Sequence, residues 1–246
     1  MKNAVLYCKY YYKLFVECNK YYEMRLTMTD KEIISRLEKL SSTLIADGMN
    51  YENVMSYFIK PMNYKKILVG KARTISVYPG DNLYIHYGIY EAKPGEILVV
   101  DGKGSTVSAY IGNLMAATAE NLGIKGIVID GLVRDKRELE EMDIQIYARG
   151  VYSKGPRKNG PGTFDETIQC GGTVVNTSDF IIADEDGVVV IPHNYAEEYV
   201  VKAENKLKYE AERLSTIQAF NRDKAIDTSE LEPKWLRETL KQQSNR

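Results

Sequence analysis

The chain has 246 residues, with 33 Lys and Arg against 34 Asp and Glu, for a formal net charge of −1. That balance excludes a general nucleic-acid binder, which carries a basic excess. Hydrophobic residues at 44% and charged residues at 27% exclude wholesale disorder, since there is ample apolar surface for a core.

Residues 1–23 hold six of the 19 tyrosines and read as an atypical extension, taken here as 1–28. Thr29 with Glu32 fits a capping box, and Ile33, Ile34, Leu37 and Leu40 share one helical face. Residues 43–48 form a short segment closing on a turn. Lys66–Thr74 reads as a buried strand that Ile75–Tyr78 continues, and Pro79-Gly80-Asp81 as a turn. Leu83–Glu91 reads as a helix. Glu96–Asp101 reads as a strand broken by Gly102-Lys103-Gly104.

A helix from Gly112 to Leu122 ends at Gly123. Gly126–Asp130 follows as a strand, Gly131–Asp135 as a loop, Lys136–Met142 as a short helix and Ile144–Ala148 as a strand. Residues 153–163 read as a Gly/Pro-rich surface loop. Short strands at Thr173–Val175, Phe180–Ala183 and Val188–Ile191 come next, with Asp184–Gly187 as a hairpin turn. Asn194–Leu214 is a long helix, and a helical stretch near Leu231–Gln242 closes a tail spanning 216–246. Helix–strand alternation followed by hairpins predicts one α/β domain, 29–215, with parallel and antiparallel pairing.

Cys8, Cys18 and Cys170 form no CxxC pair, and the two histidines, His86 and His193, cannot make a His-rich metal site. A metal here therefore takes oxygen ligands, which favours Mg²⁺ or Mn²⁺. No apolar run reaches the roughly 18–20 residues of a membrane span. Lys9, Lys13 and Glu17 interrupt the first segment, a poor match to a signal peptide. The expectation is a cytoplasmic protein with no membrane partner.

Gly102-Lys103-Gly104-Ser105-Thr106 lacks the spacing of a phosphate loop and reads as a flexible strand-to-helix turn. His86 reads as a packed or capped histidine, and His193 as a capping or surface residue. Asp184 and Asp186 are explained by their turn.

The informative stretch is 112–135. A helix of about ten residues rises ~15 Å, and a strand of about five returns ~16 Å. The 131–135 loop should therefore lie beside the free N–H groups of residues 112–115, an anion site with Gly112 leaving room for approach. Arg134 adds a planar cation for a carboxylate or enolate oxygen, and Asp135 a hard carboxylate for a divalent ion. That set suits a small α-keto acid. In the competing reading, Arg134 and Asp135 pair with each other or cap the following helix.

Residues 130–135, DGLVRD, preceded by GNLMAATAENLGIKG at 112–126, resemble the RraA-like family of 4-hydroxy-4-methyl-2-oxoglutarate aldolases and regulators of ribonuclease activity. Gly70–Thr74, Pro94–Asp101, Gly171-Gly172 and Ala183–Pro192 match further family motifs, so the resemblance covers about 29–215. It implies a swivelling β/β/α fold in a homotrimer or a pair of trimers, with sites between subunits. It implies Asp135 as the Mg²⁺ or Mn²⁺ ligand and Arg134 on the pyruvyl part of a keto-acid substrate. The carboxylate would rest on the N–H groups of Leu114 and Met115. Many aldolases of the family carry an acid where this chain has Asn113, and Asn176-Thr177-Ser178 stands where Pro-Gly-Asp is common. Glu210 or Glu212 could reach a neighbouring subunit's site, or be a surface charge. The implied function is metal-dependent carbon–carbon cleavage, by retro-aldol reaction or oxaloacetate decarboxylation. The competing one is a non-catalytic regulator of an RNA-processing enzyme.

Overall fold

The computed structural model describes residues 28–221 and 228–244. The Tyr-rich extension, Met28 apart, lies outside them. Helix α1 (Asp30–Leu37) starts where the capping box predicts: Thr29 Oγ1 accepts from the Glu32 N–H, and the Glu32 carboxylate accepts from the Thr29 N–H. Residues 42–48 form a full helix, α2 (Ser42–Gly48). Its start is secured from a distance, because both carboxylate oxygens of Asp184 accept from Ser42, from its N–H at 2.7 Å and its hydroxyl at 2.6 Å.

Nine strands form one mixed sheet. Its centre is β2 (Leu68–Val77), β3 (Ile97–Ile111), β4 (Gly126–Val133) and β5 (Gln145–Ala148), all parallel. The edges are antiparallel: β1 (Lys60–Pro61) lies on β5, and the hairpin β10 (Phe180–Ala183) and β11 (Val188–Ile191) lies on β2. Two short strands complete the sheet, β6 (Gly150–Val151) beside β4 and β7 (Gly162–Phe164) beside β2. Strands β8 (Ile168–Cys170) and β9 (Thr173–Val175) pair separately.

Alternation along β3 sends Leu98 and Val100 to one face and Ile97 and Val99 to the other, and both faces are buried. On the first face pack α3 (Leu83–Glu91), α4 (Asn113–Asn121) and α5 (Lys136–Glu141). On the second pack Met55, Ile59 and the β8–β9 pair. A third core joins α1, α2 and the long α6 (Ala196–Ala219) to β10 and β11. Helix α7 (Lys234–Ser244) lies in the tail.

Two expectations are corrected. Gly102-Lys103-Gly104 does not end its strand, because β3 runs on to Ile111 through register shifts. Lys103 and Gly104 take positive φ, and a Cβ on Gly102 would stand 2.7 Å from the Asp130 carbonyl oxygen. The glycines serve a bulged strand against β4, not a turn. Strand β4 likewise continues to Val133, leaving only Arg134 and Asp135 between it and α5. The 153–163 segment is tied down: Ala109 N–H donates to the Lys154 carbonyl, Arg157 N–H to the Gly80 carbonyl, and Asn159 N–H to Asp81 Oδ2.

Candidate active site

The parallel pairing of β3 with β4 sets the level of the site. Ile111 faces Val133, so the exits of both strands lie side by side. The Arg134 N–H donates to the Ile111 carbonyl at 3.0 Å. The Asn113 N–H, in the first turn of α4, donates to Asp135 Oδ2 at 3.0 Å. Residues 112–115 and 134–135 are thus brought together as the element lengths require. Gly112 is needed for this approach, since a Cβ there would lie 2.3 Å from Asp135 Oδ2 and 2.9 Å from Arg134 Cγ.

Of the two competing readings, capping of α5 is absent, while pairing of Arg134 with Asp135 is present but loose. Asp135 occupies the N-cap position of α5, yet its side chain makes no capping hydrogen bond. Arg134 Nε stands 3.7 Å from Asp135 Oδ2, a loose contact between groups 45% and 40% exposed. Asp135 also holds a left-handed backbone, φ 61° and ψ 43°, at a cost of about 1–3 kcal/mol for a non-glycine residue. The fold strains this residue to aim its carboxylate back at α4.

A cavity of about 240 Å³ opens beside these groups. Gly112, Leu114, Met115, Arg134 and Asp135 line it, and so do Asn82, His86 and Lys158. The sequence alone does not mark the last three as site residues, and His86 reads there as a packed or capped histidine. Their placement depends on the 153–161 loop and on α3, which long-range contacts bring together. The one local signal is an Asn before a helix, in Pro79-Gly80-Asp81-Asn82. Asp81 fixes that junction, with Oδ1 accepting from Leu83 N–H at 2.9 Å and Oδ2 from Asn159 N–H at 2.6 Å. Burial pushes its carboxyl up, but the backbone donors outweigh burial and hold it below the usual range. Burial, then the Lys158 charge, holds His86 below the ordinary imidazole value. Gly155 gives the Arg134 guanidinium room, since a Cβ there would lie 2.9 Å from Nη1.

Asn113 lies in the first turn beside Asp135 but is not among the residues lining the cavity. Glu210 and Glu212 lie exposed on α6 and do not line it either; Glu210 stands 3.7 Å from Lys206. Larger hollows among the described residues include ones of about 550, 580 and 460 Å³, the last also bordered by Arg134 and Asp135, together with Val151 and Tyr152. In the first, Asp101 and Asp130 already have partners in Lys103, Arg149 and the Gly171 N–H. The second lies at the other ends of the strands, around Leu68, Ile124 and Gln145.

Among the described residues no group of three or more His, Cys, Asp and Glu could cage a metal. A hard cation needs less: Mg²⁺ binds through one or two carboxylates and keeps several waters. Asp135, half-exposed on the cavity wall with its Oδ2 oriented by one N–H, fits that donor set.

This is a mixed α/β domain whose candidate site lies at the carboxyl ends of adjacent parallel strands, where such sheets bind ligands. The chain belongs to the RraA-like family, described as Aldolase/RraA, whose profile matches residues 42–190. A protein of Halalkalibacterium halodurans named putative 4-hydroxy-4-methyl-2-oxoglutarate aldolase is 35% identical over 181 residues, 74% of this chain and 86% of that one. A Thermus thermophilus protein named 4-hydroxy-4-methyl-2-oxoglutarate aldolase is 34% identical over 137 residues, 54% of this chain and 83% of its own. The solved structure of an RNA-processing inhibitor, RraA, from a Thermus species superposes with a TM-score of 0.57 at 30% identity, covering 61% of this chain and 92% of that one. Among the described residues no helix is long and apolar enough to cross a membrane.

Proposed function

We propose that this protein is a divalent-metal-dependent lyase that cleaves a carbon–carbon bond of a pyruvyl-type keto acid and releases pyruvate. The observation that carries the reading is the convergence of Arg134, Asp135 and the first turn of α4 on one cavity. The names of the relatives support the same chemistry, with 4-hydroxy-4-methyl-2-oxoglutarate as the first substrate to try.

Asp135 would hold Mg²⁺ or Mn²⁺, with the Asn113 amide available to a bound water. When bound, the ion supplies Lewis-acid polarisation of the substrate's keto oxygen. The chain's own groups do the rest. The first-turn N–H groups of Leu114 and Met115 have no carbonyl partner one turn earlier and receive the substrate carboxylate. The Arg134 guanidinium faces the keto oxygen and stabilises the negative charge that develops there as the bond breaks. Leu114 and Met115 place apolar surface over the same cavity and limit its water.

The active form in this proposal is a homotrimer or hexamer, with Glu210 or Glu212 of one subunit near the site of the next. The exposed Leu207, Leu214 and Ile217 on α6 support a subunit contact there. Sedimentation velocity tests it, and a monomer would end it.

The likeness to an RNA-processing inhibitor favours the second reading, a binding module. A protein-binding surface needs neither a strained Asp135 nor a converging Arg134, and on that ground the lyase reading stands first. The test is pyruvate release from 4-hydroxy-4-methyl-2-oxoglutarate and from oxaloacetate, with Mg²⁺, with EDTA, and in Asp135→Ala. Release that needs the metal and is lost in the variant supports the lyase. Background rates throughout put the binding module first.

A further inference from the structure

We propose that the Lys158 ammonium binds the distal carboxylate of a dicarboxylic keto acid, so that the site selects a 4-hydroxy-2-oxo diacid over the matching monoacid. This rests on the lyase reading above and deepens it, since Arg134, Asp135 and the first turn of α4 take only the pyruvyl end.

The cavity wall comes from two parts of the fold. The exits of β3 and β4 supply Gly112, Arg134 and Asp135, while α3 and the loop before β7 supply Asn82, His86 and Lys158. That loop is fixed on both flanks of Lys158. The Arg157 N–H donates to the Gly80 carbonyl at 2.8 Å, and the Arg157 carbonyl accepts from the Asn82 N–H at 3.0 Å. The Asn159 N–H donates to Asp81 Oδ2 at 2.6 Å. These bonds set the Lys158 backbone beside the start of α3. Its charge acts on His86, where it adds to burial in holding the imidazole below its ordinary value.

The charges on the wall do not balance. Arg134 and Lys158 stand against the single carboxylate of Asp135. Among the described residues no carboxylate pairs with Lys158. A keto monoacid brings one anionic group, for Arg134 and α4, and leaves the ammonium unanswered. A diacid brings a second anion, and a cleft lined by an excess of one charge concentrates ligands of the other.

Two polar atoms on the same part of the wall are buried without a partner, Asn82 Oδ1 and His86 Nε2, and buried polar groups are ordinarily paired. They call for different partners. Asn82 Nδ2 donates to the Tyr110 carbonyl at 2.8 Å, which fixes the amide and leaves its oxygen an acceptor only. A lysine ammonium has three N–H groups, enough for that oxygen and a carboxylate together. The neutral imidazole carries one proton, and a carboxylate beside Nε2 draws it to that nitrogen. His86 then donates from Nε2 to the same carboxylate that Lys158 holds.

The experiment measures kcat and KM of the full chain, Lys158→Met and Lys158→Arg. The substrates are 4-hydroxy-4-methyl-2-oxoglutarate and 4-hydroxy-2-oxopentanoate, the same skeleton with hydrogen in place of the distal carboxylate. The unsubstituted chain prefers the diacid in kcat/KM. Lys158→Met lowers that preference about 10- to 100-fold, the range of one lost hydrogen bond to a charged group, through KM for the diacid. Lys158→Arg, which keeps the charge, retains most of it. Lys158 is exposed on its loop, so both variants keep the fold. An equal rise in KM on both substrates, no change on either, or an unsubstituted chain without the preference overturns the subsite while leaving the lyase standing. An unsubstituted protein inactive on both overturns the lyase reading, and the subsite with it.

Discussion

Two arginine–carboxylate pairs, whose aspartates stand five residues apart along β4 and its exit, have opposite characters. In the first, Asp130 is 8% exposed and accepts from Arg149 and, at 3.0 Å, from the Gly171 N–H. The Arg149 guanidinium also lies over the Phe58 ring, 5.6 Å from its centroid. In the second, Arg134 and Asp135 stand 3.7 Å apart, both about half exposed, on a strained backbone. The first pair has used its bonding capacity within the fold. The second has been positioned and left open, which is the condition for taking up a ligand.

Two substitutions should separate these roles most widely. Asp135→Ala should lower lyase turnover on the order of 10³-fold, by removing the oxygen ligand for the ion. Its urea midpoint should stay close to that of the unsubstituted chain. Asp130→Ala should do the reverse, costing about 3 kcal/mol because it strands a largely buried guanidinium. Equal destabilisation by both would erase the distinction.

Glycines sharpen it further. An alanine at Gly112 places its methyl 2.3 Å from Asp135 Oδ2, and the carboxylate must swing away. A displacement of about 1 Å at a reacting centre costs roughly 100-fold in rate. At Gly126 the added methyl meets Leu68 Cδ2 at 2.5 Å and the Gln145 carbonyl oxygen at 2.9 Å. That is overpacking, with an expected stability loss of about 1–3 kcal/mol and no contact with the cavity. Turnover measured beside thermal melting distinguishes the two variants.

What the sequence discloses follows the same division. Helix α3 and strands β9, β10 and β11 have the predicted bounds, because their signals are local: turn residues and unbroken apolar runs. The return of the chain to the 112–115 level follows from element lengths and is what Asn113 and Asp135 show. The Gly102–Gly104 stretch misleads because a glycine allowing close approach to Asp130 looks the same in sequence as one opening a turn. Asn82 and His86 are illegible as site residues for another reason. Their significance is an unmet hydrogen bond, and that exists only once Tyr110, Asp81 and the 153–161 loop have taken their places. The 1–28 extension, with Cys8 and Cys18, lies outside the described residues apart from Met28.

The smallest expected effect concerns paired charges that serve neither core nor site. Helix α1 is held to the body by Lys71 on Asp30 at 2.5 Å and by Arg36 on Glu204 at 2.5 Å. The Lys71 hydrogen bond holds the Asp30 carboxyl below the ordinary carboxylate range, and Arg36 does the same for Glu204. A depressed carboxyl binds fewer protons folded than unfolded, so its stabilisation is complete above the unfolded value and fades as pH falls through the folded one. Acidification below about pH 4 should therefore loosen α1 from α6 while the central sheet persists. Asp30→Asn should lower the urea midpoint at pH 7 by less than about 1 kcal/mol equivalent, as for other exposed pairs, with the gap closing in acid. High salt should shrink the same gap at pH 7, since these charges are within reach of counterions. A gap that persists at low pH and in high salt would mean that Asp30 acts through its hydrogen bond to His193, at 2.9 Å, and not through its charge.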